Sequence, residues 1–397
     1  MANVSSSNGL EKYPKLRFKG FSEPWKSVRI GEIYAERSER GAEYMELLSV
    51  TMNDGVKMRS DIEGKDNSSE DKSNYKIVRV GDMVYNSMRM WQGANGISPW
   101  DGIVSPAYTV LKPRIPLSNG FFAALFKTHR LINEFRKNSQ GMTSDTWNLK
   151  YPQIETIKTC IPVLDEQEKI AEFLMALDRR IEKQRSLVEH LKKYKRGALQ
   201  HIFHKMTDCS TVTVGDVFTK ANKRNSDGRV KNVITNSAEY GLIPQRDFFD
   251  KDIAVDGNTN NYFIIQKGCF VYNPRKSNTA PYGPFNCYQG EEEGIISPLY
   301  TCLVKKSDVD STYLSWYFKS DSWYRYIYDN GSQGVRHDRV SMTDDLLMGI
   351  PIKLPNGERQ KEIGAFFDAI DAKLKCETDI LNALIKIKNG LYNKMFI

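Results

Sequence analysis

The chain has 397 residues, 40% hydrophobic and 11% aromatic, enough for two or three cored domains, which excludes a disordered or low-complexity protein. No apolar run approaches the roughly 18 residues that span a bilayer, and the start, MANVSSSNGLEKYPK, has no apolar signal core, so the cytoplasm is the expected compartment. A net charge of +8 is compatible with a polyanion partner without being diagnostic of one, and the six cysteines (Cys160, Cys209, Cys269, Cys287, Cys302, Cys376) form no CxxC pair and read as reduced thiols.

Residues 1–12 are polar and Ser/Asn-rich and read as a disordered leader. From Pro14 to Trp25, PKLRFKGFSEPW, aromatic and basic residues alternate ahead of a strand-like run, Val28 to Ile33. Short β-branched or aromatic runs follow (Glu46 to Thr51, Tyr75 to Val80, Met83 to Asn86, Ala107 to Leu111) with one helix candidate, Phe121 to Lys137. Residues 13–162 therefore read as a compact mixed α/β domain.

Pro162 to Phe203 then steps its apolar residues by alternating fours and threes, which keeps one seam of a helix facing a partner. The seam is Ile170, Leu174, Leu177, Ile181, Gln184, Val188, Leu191, Lys195, Ala198 and Ile202. Asp165 with Glu168 resembles a capping box, and basic residues crowd the last turn. A helix of about 40 residues is roughly 60 Å long and needs a partner for such a seam.

After this helix the first half is echoed in order. Val212 to Phe218 (VTVGDVF) echoes Val28 to Tyr34 (VRIGEIY), and Lys267 to Arg275 echoes Val80 to Arg89. Ile295 to Leu303 echoes Ile103 to Leu111, and SQG at Ser332 echoes SQG at Ser139, whereas residues 35–74 and 219–264 do not align. The chain closes on a degraded copy of the long helix, Leu354 to Phe396, in which Pro355, Gln360, Asp371, Gly390 and Phe396 stand 193 positions after Pro162, Gln167, Asp178, Gly197 and Phe203. Its seam is Ile363, Phe367, Ile370, Leu374, Glu377, Leu381, Leu384, Lys388, Leu391 and Met395, polar at the same two places as the first. The expected fold is mixed α/β (α+β): two globular domains alternating with two long antiparallel coiled-coil helices, a tandem duplication with pseudo-two-fold symmetry. The expected divisions are residues 1–12, 13–162, 163–206, 207–355 and 356–397. The seam residues from Ile170 to Leu191 and from Ile363 to Leu384 form the expected helix-pair interface, with Gln184 and Glu377 as a polar layer that sets register.

No enzyme signature is present: no phosphate loop, no HExxH, no GxSxG, and no glycine-rich turn for a dinucleotide or S-adenosylmethionine. Ser105-Pro-Ala-Tyr108 and Ser297-Pro-Leu-Tyr300 faintly resemble the [DNS]PP[YF] loop of amino-methyltransferases but lack its second proline, and read as strand entries. His201 and His204 have no third ligand nearby, so no metal and no cofactor is expected. What remains are loops whose residue types suit DNA. In the first half these are Arg37, Arg40, Asn53, Asn86, Arg89, Trp91, Gln92, Asn95, Gln140, Thr143 and Ser144. In the second they are Lys223, Arg224, Asn225, Asn236, Asn273, Arg275, Lys276, Asn278, Gln333, Arg336, His337 and Arg339. Arginine can pair bidentately with guanine, Asn or Gln with adenine, and Lys, Ser and Thr with phosphate. Solvated loop residues are the plain alternative, and Asn86 and Asn273 can instead close a turn after a strand and leave Arg89 or Arg275 exposed.

The helix sequences, the IP...EQ.KIA and G.LQ.IF-type ends and the PKLRF.GF..W opening resemble the specificity subunit of type I restriction-modification systems over nearly the whole chain. The resemblance implies a non-catalytic subunit in which residues 13–162 and 207–355 are target-recognition domains, each reading one half of a bipartite site in double-stranded DNA. It further implies that the long helices set the spacer and that two methyltransferase subunits dock, onto which restriction (translocase/nuclease) subunits assemble. The LPNGERQ junction departs from the IPVLDEQ form. The alternatives are a repeat scaffold that binds protein or RNA, an orphan DNA-binding protein, and a self-contained methyltransferase or nuclease, which the missing motifs disfavour.

Overall fold

The computed structural model describes residues 13–41, 44–52, 55–66, 68–143, 145–247, 259–331 and 338–397. The expected leader, Asn53, Ser144, Gln333, Arg336, His337 and the SQG echo at Ser332 lie outside the described residues. The chain forms two compact units, residues 1–185 with 379–397 and residues 186–378. Two long helices, Leu164–Lys205 (42 residues) and Gly357–Met395 (39 residues), each contribute one part to either unit.

In the first unit Lys26–Arg29 pairs antiparallel with Lys158–Ile161. A four-stranded antiparallel sheet follows in the order Tyr34–Glu36, Tyr108–Pro113, Met83–Asn86, Asn95–Ile97. Two further pairs complete it, Leu48–Thr51 with Gly55–Met58 and Lys76–Val78 with Gly102–Val104. In the second unit Ser210–Thr213 pairs with Pro351–Leu354, and its four-stranded sheet runs Phe218–Lys220, Thr301–Lys305, Phe270–Tyr272, Phe285–Cys287. Its additional pairs are Ile234–Ser237 with Gly241–Pro244 and Phe263–Ile265 with Gly294–Ile296.

Three local expectations need correction. The run Val28 to Ile33 is strand only as far as Arg29 and then makes one helical turn, Ile30–Ile33, which buries Ile30 and Ile33. The helix expected over Phe121 to Lys137 is two helices, Asn119–Leu125 and His129–Asn138, because the Thr128 hydroxyl accepts from the Leu131 amide and starts the second. The capping box at Asp165 does not form, since Asp165 already lies in the first turn of the helix. The C-terminal long helix is capped instead by Asn356, whose side chain accepts from the Arg359 amide at 2.9 Å.

The core of each unit is built on a short helix lying against a long one. In the first, Trp25, Phe121 and Phe396 pack together with ring centroids 5.5–6.5 Å apart, and Ile170, Ala171 and Leu174 join the same core. In the second, Phe203 packs on Tyr313 and stacks on Phe367 at 5.8 Å, with Ile363 and Ile370 alongside. Early turns of each seam therefore pack against globular core as well as a helix. The aromatic opening is a strap in the first unit: the Leu16 amide donates to the Lys394 carbonyl, Phe18 meets Phe173 edge-on, and Arg17 forks onto Glu166 with two 2.7 Å bonds.

The helix portions within each unit run antiparallel. In the first unit Ile170 and Leu174 share a core with Leu391, Tyr392, Met395 and Phe396, and further along Asp178 pairs with Lys388. In the second, Phe203 lies on Phe367 and Lys195 pairs with Asp371. The late lysines that interrupt both seams thus each meet an aspartate of the other helix. These half-exposed pairs contribute about 0–1 kcal/mol each, so the apolar seam carries the association. Along the seam Ile170, Leu174, Ile181, Gln184, Val188, Ile363, Phe367, Ile370 and Glu377 are buried, while Leu177, Leu191, Leu374, Leu381 and Leu384 are half-buried. Glu377 also accepts from Lys373 one turn before it, at 2.6 Å.

One glutamine near the start of each long helix joins it to its unit. Gln167 is buried, accepts from the Ser118 amide at 3.1 Å and donates to the Pro162 carbonyl at 3.0 Å. Gln360 does the same with the Asp310 amide (2.9 Å) and the Pro355 carbonyl (2.8 Å). Ser118 and Asp310 are the N-caps of the short helices Asn119–Leu125 and Ser311–Lys319. Gln167→Leu or Gln360→Leu would strand a buried carbonyl, at about 1–3 kcal/mol, and a half-buried N–H. We expect a clear loss of stability in urea unfolding of the full chain; a shift no larger than that of exposed Lys193→Ala would contradict the role.

Candidate nucleic-acid interface

In the first unit the strand Met83–Asn86 ends in a turn closed by Asn86, whose side chain accepts from the Met88 amide at 3.0 Å. This is the structural reading of Tyr-Asn, and it leaves Arg89 exposed. A short 3-10 turn, Met90–Gln92, then buries Met90 and leaves Trp91 and Gln92 half-exposed. The 140–148 loop returns to the same place. Gln140 and Asn148 exchange two backbone bonds of 2.9 and 2.8 Å, and the Leu149 amide donates to the Ser87 carbonyl at 2.9 Å. Trp147 meets Trp91 edge-on at 5.2 Å and takes the Arg136 guanidinium over its ring at 5.5 Å. The result is a surface holding Arg89, Trp91, Gln92, Gln140 and Thr143, to which Trp147 and Arg136 also belong although residue type and spacing did not single them out. The signal in the sequence for Trp147 is an aromatic residue in a polar loop, and Arg136, in the last turn of the helix His129–Asn138, has none.

The second unit builds the corresponding place differently. After Phe270–Tyr272, Asn273 closes the turn by accepting from the Arg275 amide at 3.0 Å. The segment around Arg339 pairs with it: Arg275 and Arg339 form an antiparallel bridge, the Lys276 amide donates to the Asp338 carbonyl, and the Val340 amide donates to the Pro274 carbonyl. Arg275 and Lys276 are exposed beside a cavity of about 490 Å³ lined by Lys276, Ser277, Asn278, Tyr282, Tyr328 and Asp338. The turn needs a glycine opposite it, since Gly283 has φ +84° and a Cβ there would run into the Asn273 carbonyl.

Several other sequence candidates hold the fold together. Arg37 forks onto Asp82 with bonds of 2.7 and 3.1 Å and also bonds Glu39 at 2.8 Å; the Asp82 hydrogen bond foremost raises its pKa. Arg40 bonds the Asn74 side chain at 3.3 Å. Asn95 and Asn225 are fully buried, and Asn225 both donates to and accepts from the Val230 backbone. Asn236, Asn273 and Asn286 make a buried amide network: Asn236 donates to the Val271 carbonyl at 2.8 Å and accepts from Asn286 at 2.7 Å, while Asn273 donates to the Asn236 carbonyl at 3.1 Å. Arg224 is exposed, reaching Asn261 at 3.2 Å and lying over Phe263 at 5.4 Å, and Lys223 beside it is exposed.

The segments that faintly resembled a methyltransferase loop are tight turns between strands, with Ser105 and Ser297 each accepting from the amide two residues on. His204 bonds Asp321 at 2.6 Å, and among the described residues no cluster of His, Cys, Asp and Glu could hold a metal. Burial pushes the Cys302 thiol up to about 12 and Cys287 to about 11, so both stay protonated at neutral pH. Among the described residues no helix is long and apolar enough to cross a membrane.

Comparison with known proteins gives these surfaces a context. Residues 22–190 match the family model described as "Type I restriction modification DNA specificity domain". Three solved structures share the fold of almost the whole chain. One, from work on the complex assembly and conformational transition of the type I R-M system, has a TM-score of 0.58 at 16% identity and covers 94% of this chain and 97% of its own. The HsdS subunit from Thermoanaerobacter tengcongensis has a TM-score of 0.51 at 16% identity, with 95% and 98% covered. The S subunit of a type I system from M. genitalium has a TM-score of 0.53 at 15% identity, with 97% and 99% covered. No curated protein sequence matches the chain. Residues 22–190 thus form a DNA specificity domain of the type I restriction-modification kind. Along nearly its full length the chain has the fold of those solved specificity subunits, in agreement with the resemblance read from its helices and opening.

The two kinds of asparagine and arginine separate in a stability measurement. Asn273→Ala would leave the buried Asn236 carbonyl and the Arg275 amide without their partners, at about 1–3 kcal/mol. Arg275→Ala on the exposed surface should stay within about 0.5 kcal/mol. Equal unfolding midpoints in urea for the two variants would contradict this division.

Proposed function

We propose that this chain is the DNA sequence-specificity subunit of a type I restriction-modification complex, itself without catalytic activity and working in the cytoplasm. Residues 13–162 and 207–355 act as two target-recognition domains, descended with their helices from one domain-plus-helix unit. Each binds one half of a bipartite site in double-stranded DNA, and an approximate two-fold relation between them matches the opposed strands of the duplex. The long helices fix the number of unread base pairs and dock two methyltransferase subunits, onto which restriction subunits assemble.

The observation that carries this reading is the cluster of exposed and half-exposed residues placed after the third strand of the sheet order in both units. Arg89, Trp91, Gln92, Gln140 and Thr143 stand there in one, and Arg275, Lys276 and Arg339 in the other. The frame around each turn is shared, while the residues it presents differ, which suits two modules reading different bases.

Selection of bound duplexes from a random pool by the full chain tests this. We expect a two-part preference, with affinity falling steeply and linearly on a log–log salt plot. Arg89→Ala with Gln92→Ala should relax one part by about 1–3 kcal/mol per lost base contact and spare the other, and Arg275→Ala with Lys276→Ala should do the reverse. Variants that weaken binding without changing either preference, or a stronger preference for RNA, would overturn it.

A further inference from the structure

The glutamine lock is common to both units, but the contact beyond it is built in opposite ways. Gly120 and Thr312 each stand two residues after the N-caps Ser118 and Asp310, and Ala171 and Gly364 each stand four residues after Gln167 and Gln360. In the first unit the glycine is on the short helix. A Cβ on Gly120 would lie 2.9 Å from the Ala171 Cβ and 3.4 Å from the Met175 sulfur. In the second unit the glycine is on the long helix, and a Cβ on Gly364 would lie 3.1 Å from Cγ2 and 3.3 Å from Cβ of Thr312. One turn further the chemistry also exchanges. Trp316 donates its indole N–H to Asp368 at 2.8 Å and stacks on Phe367 at 5.3 Å, where the first unit has Ala124, Met175 and Leu174.

We infer that these two contacts are mutually exclusive, so that the short helix of each globular unit accepts only the early turns of its own long helix, whether from its own chain or from a second copy. On the wrong helix, Thr312 would meet Ala171 at a place too tight even for a bare Cβ, and Trp316 would exchange the Asp368 carboxylate for Met175, which accepts hydrogen bonds poorly. In the converse pairing Gly120 would face Gly364 across a void. The common lock gives both units the same docking geometry and the small-residue exchange gives each a separate address. If the units read DNA as proposed above, the order of the two half-sites follows from this packing chemistry.

The test is a pair of double-mutant cycles on the full chain, read as thermal midpoints and needing no DNA. Gly120→Thr should lower the midpoint by several degrees, and adding Ala171→Gly, which recreates the second unit's arrangement, should recover at least half of that loss although Ala171→Gly alone is destabilising. Gly364→Ala should likewise be rescued by Thr312→Gly. A folded Gly120→Thr/Ala171→Gly chain beside an unfolded Gly120→Thr chain gives the same support. If Gly120→Thr is unfolded with and without its partner change, the Gly364→Ala cycle decides. Midpoint losses that simply add in the decisive cycle would overturn the inference, whereas coupled midpoints in a chain that fails to bind duplex DNA would overturn the proposed function alone.

Discussion

The architecture depends on one buried amide used twice. Gln167 and Gln360 each tie the first turns of a long helix to the N-cap of a short helix in the globular fold, accepting with the side-chain oxygen and donating with the nitrogen. Both ends of that amide are satisfied where water is excluded, so replacing it leaves orphans on the cap and on the proline carbonyl alike. The geometry it enforces brings Ile170, Leu174, Ile363 and Phe367 into globular cores. A long helix anchored in this way holds the globular core of its unit with little slack.

The surfaces themselves follow a division of labour between asparagines and arginines. Asn86 and Asn273 spend their side chains on closing a turn, and Asn236 and Asn286 fill a polar interior. The cations that follow the turns, Arg89, Arg275 and Lys276, are left exposed by that same geometry. Each turn is held from the far side by a returning segment, through Leu149 to Ser87 in one unit and Val340 to Pro274 in the other. Loops fixed at both ends in this manner can vary their outward residues without disturbing the sheet beneath.

Much of this is legible in the amino-acid sequence. The helix seams can be read because four-three apolar spacing sustained over ten positions marks one face of a helix turned to a partner, and the strand echoes because Met83–Asn86 and Phe270–Tyr272 keep buried apolar faces. The strand Leu48–Thr51 is legible, but the equivalence of the hairpins Leu48–Thr51/Gly55–Met58 and Ile234–Ser237/Gly241–Pro244 is not, since one buries Val50 where the other buries Asn236. Thr128 splits an apparently continuous helix because its hydroxyl competes for backbone N–H groups, a local choice that periodicity does not register. Arg37 resembles a reading residue by type alone; its commitment to Asp82, 45 positions away, is a tertiary fact. The lock is visible as an aligned glutamine pair, but its partners at Ser118 and Asp310 come only from the fold.

The most direct measurement is to co-express the chain with a methyltransferase subunit of a type I system that it associates with and to locate methylated adenines on host DNA by single-molecule sequencing. A two-part methylated motif with a gap of fixed length is the predicted result. A contiguous motif, or no methylation from a complex that assembles, would contradict the reading of two recognition units held by a helical spacer.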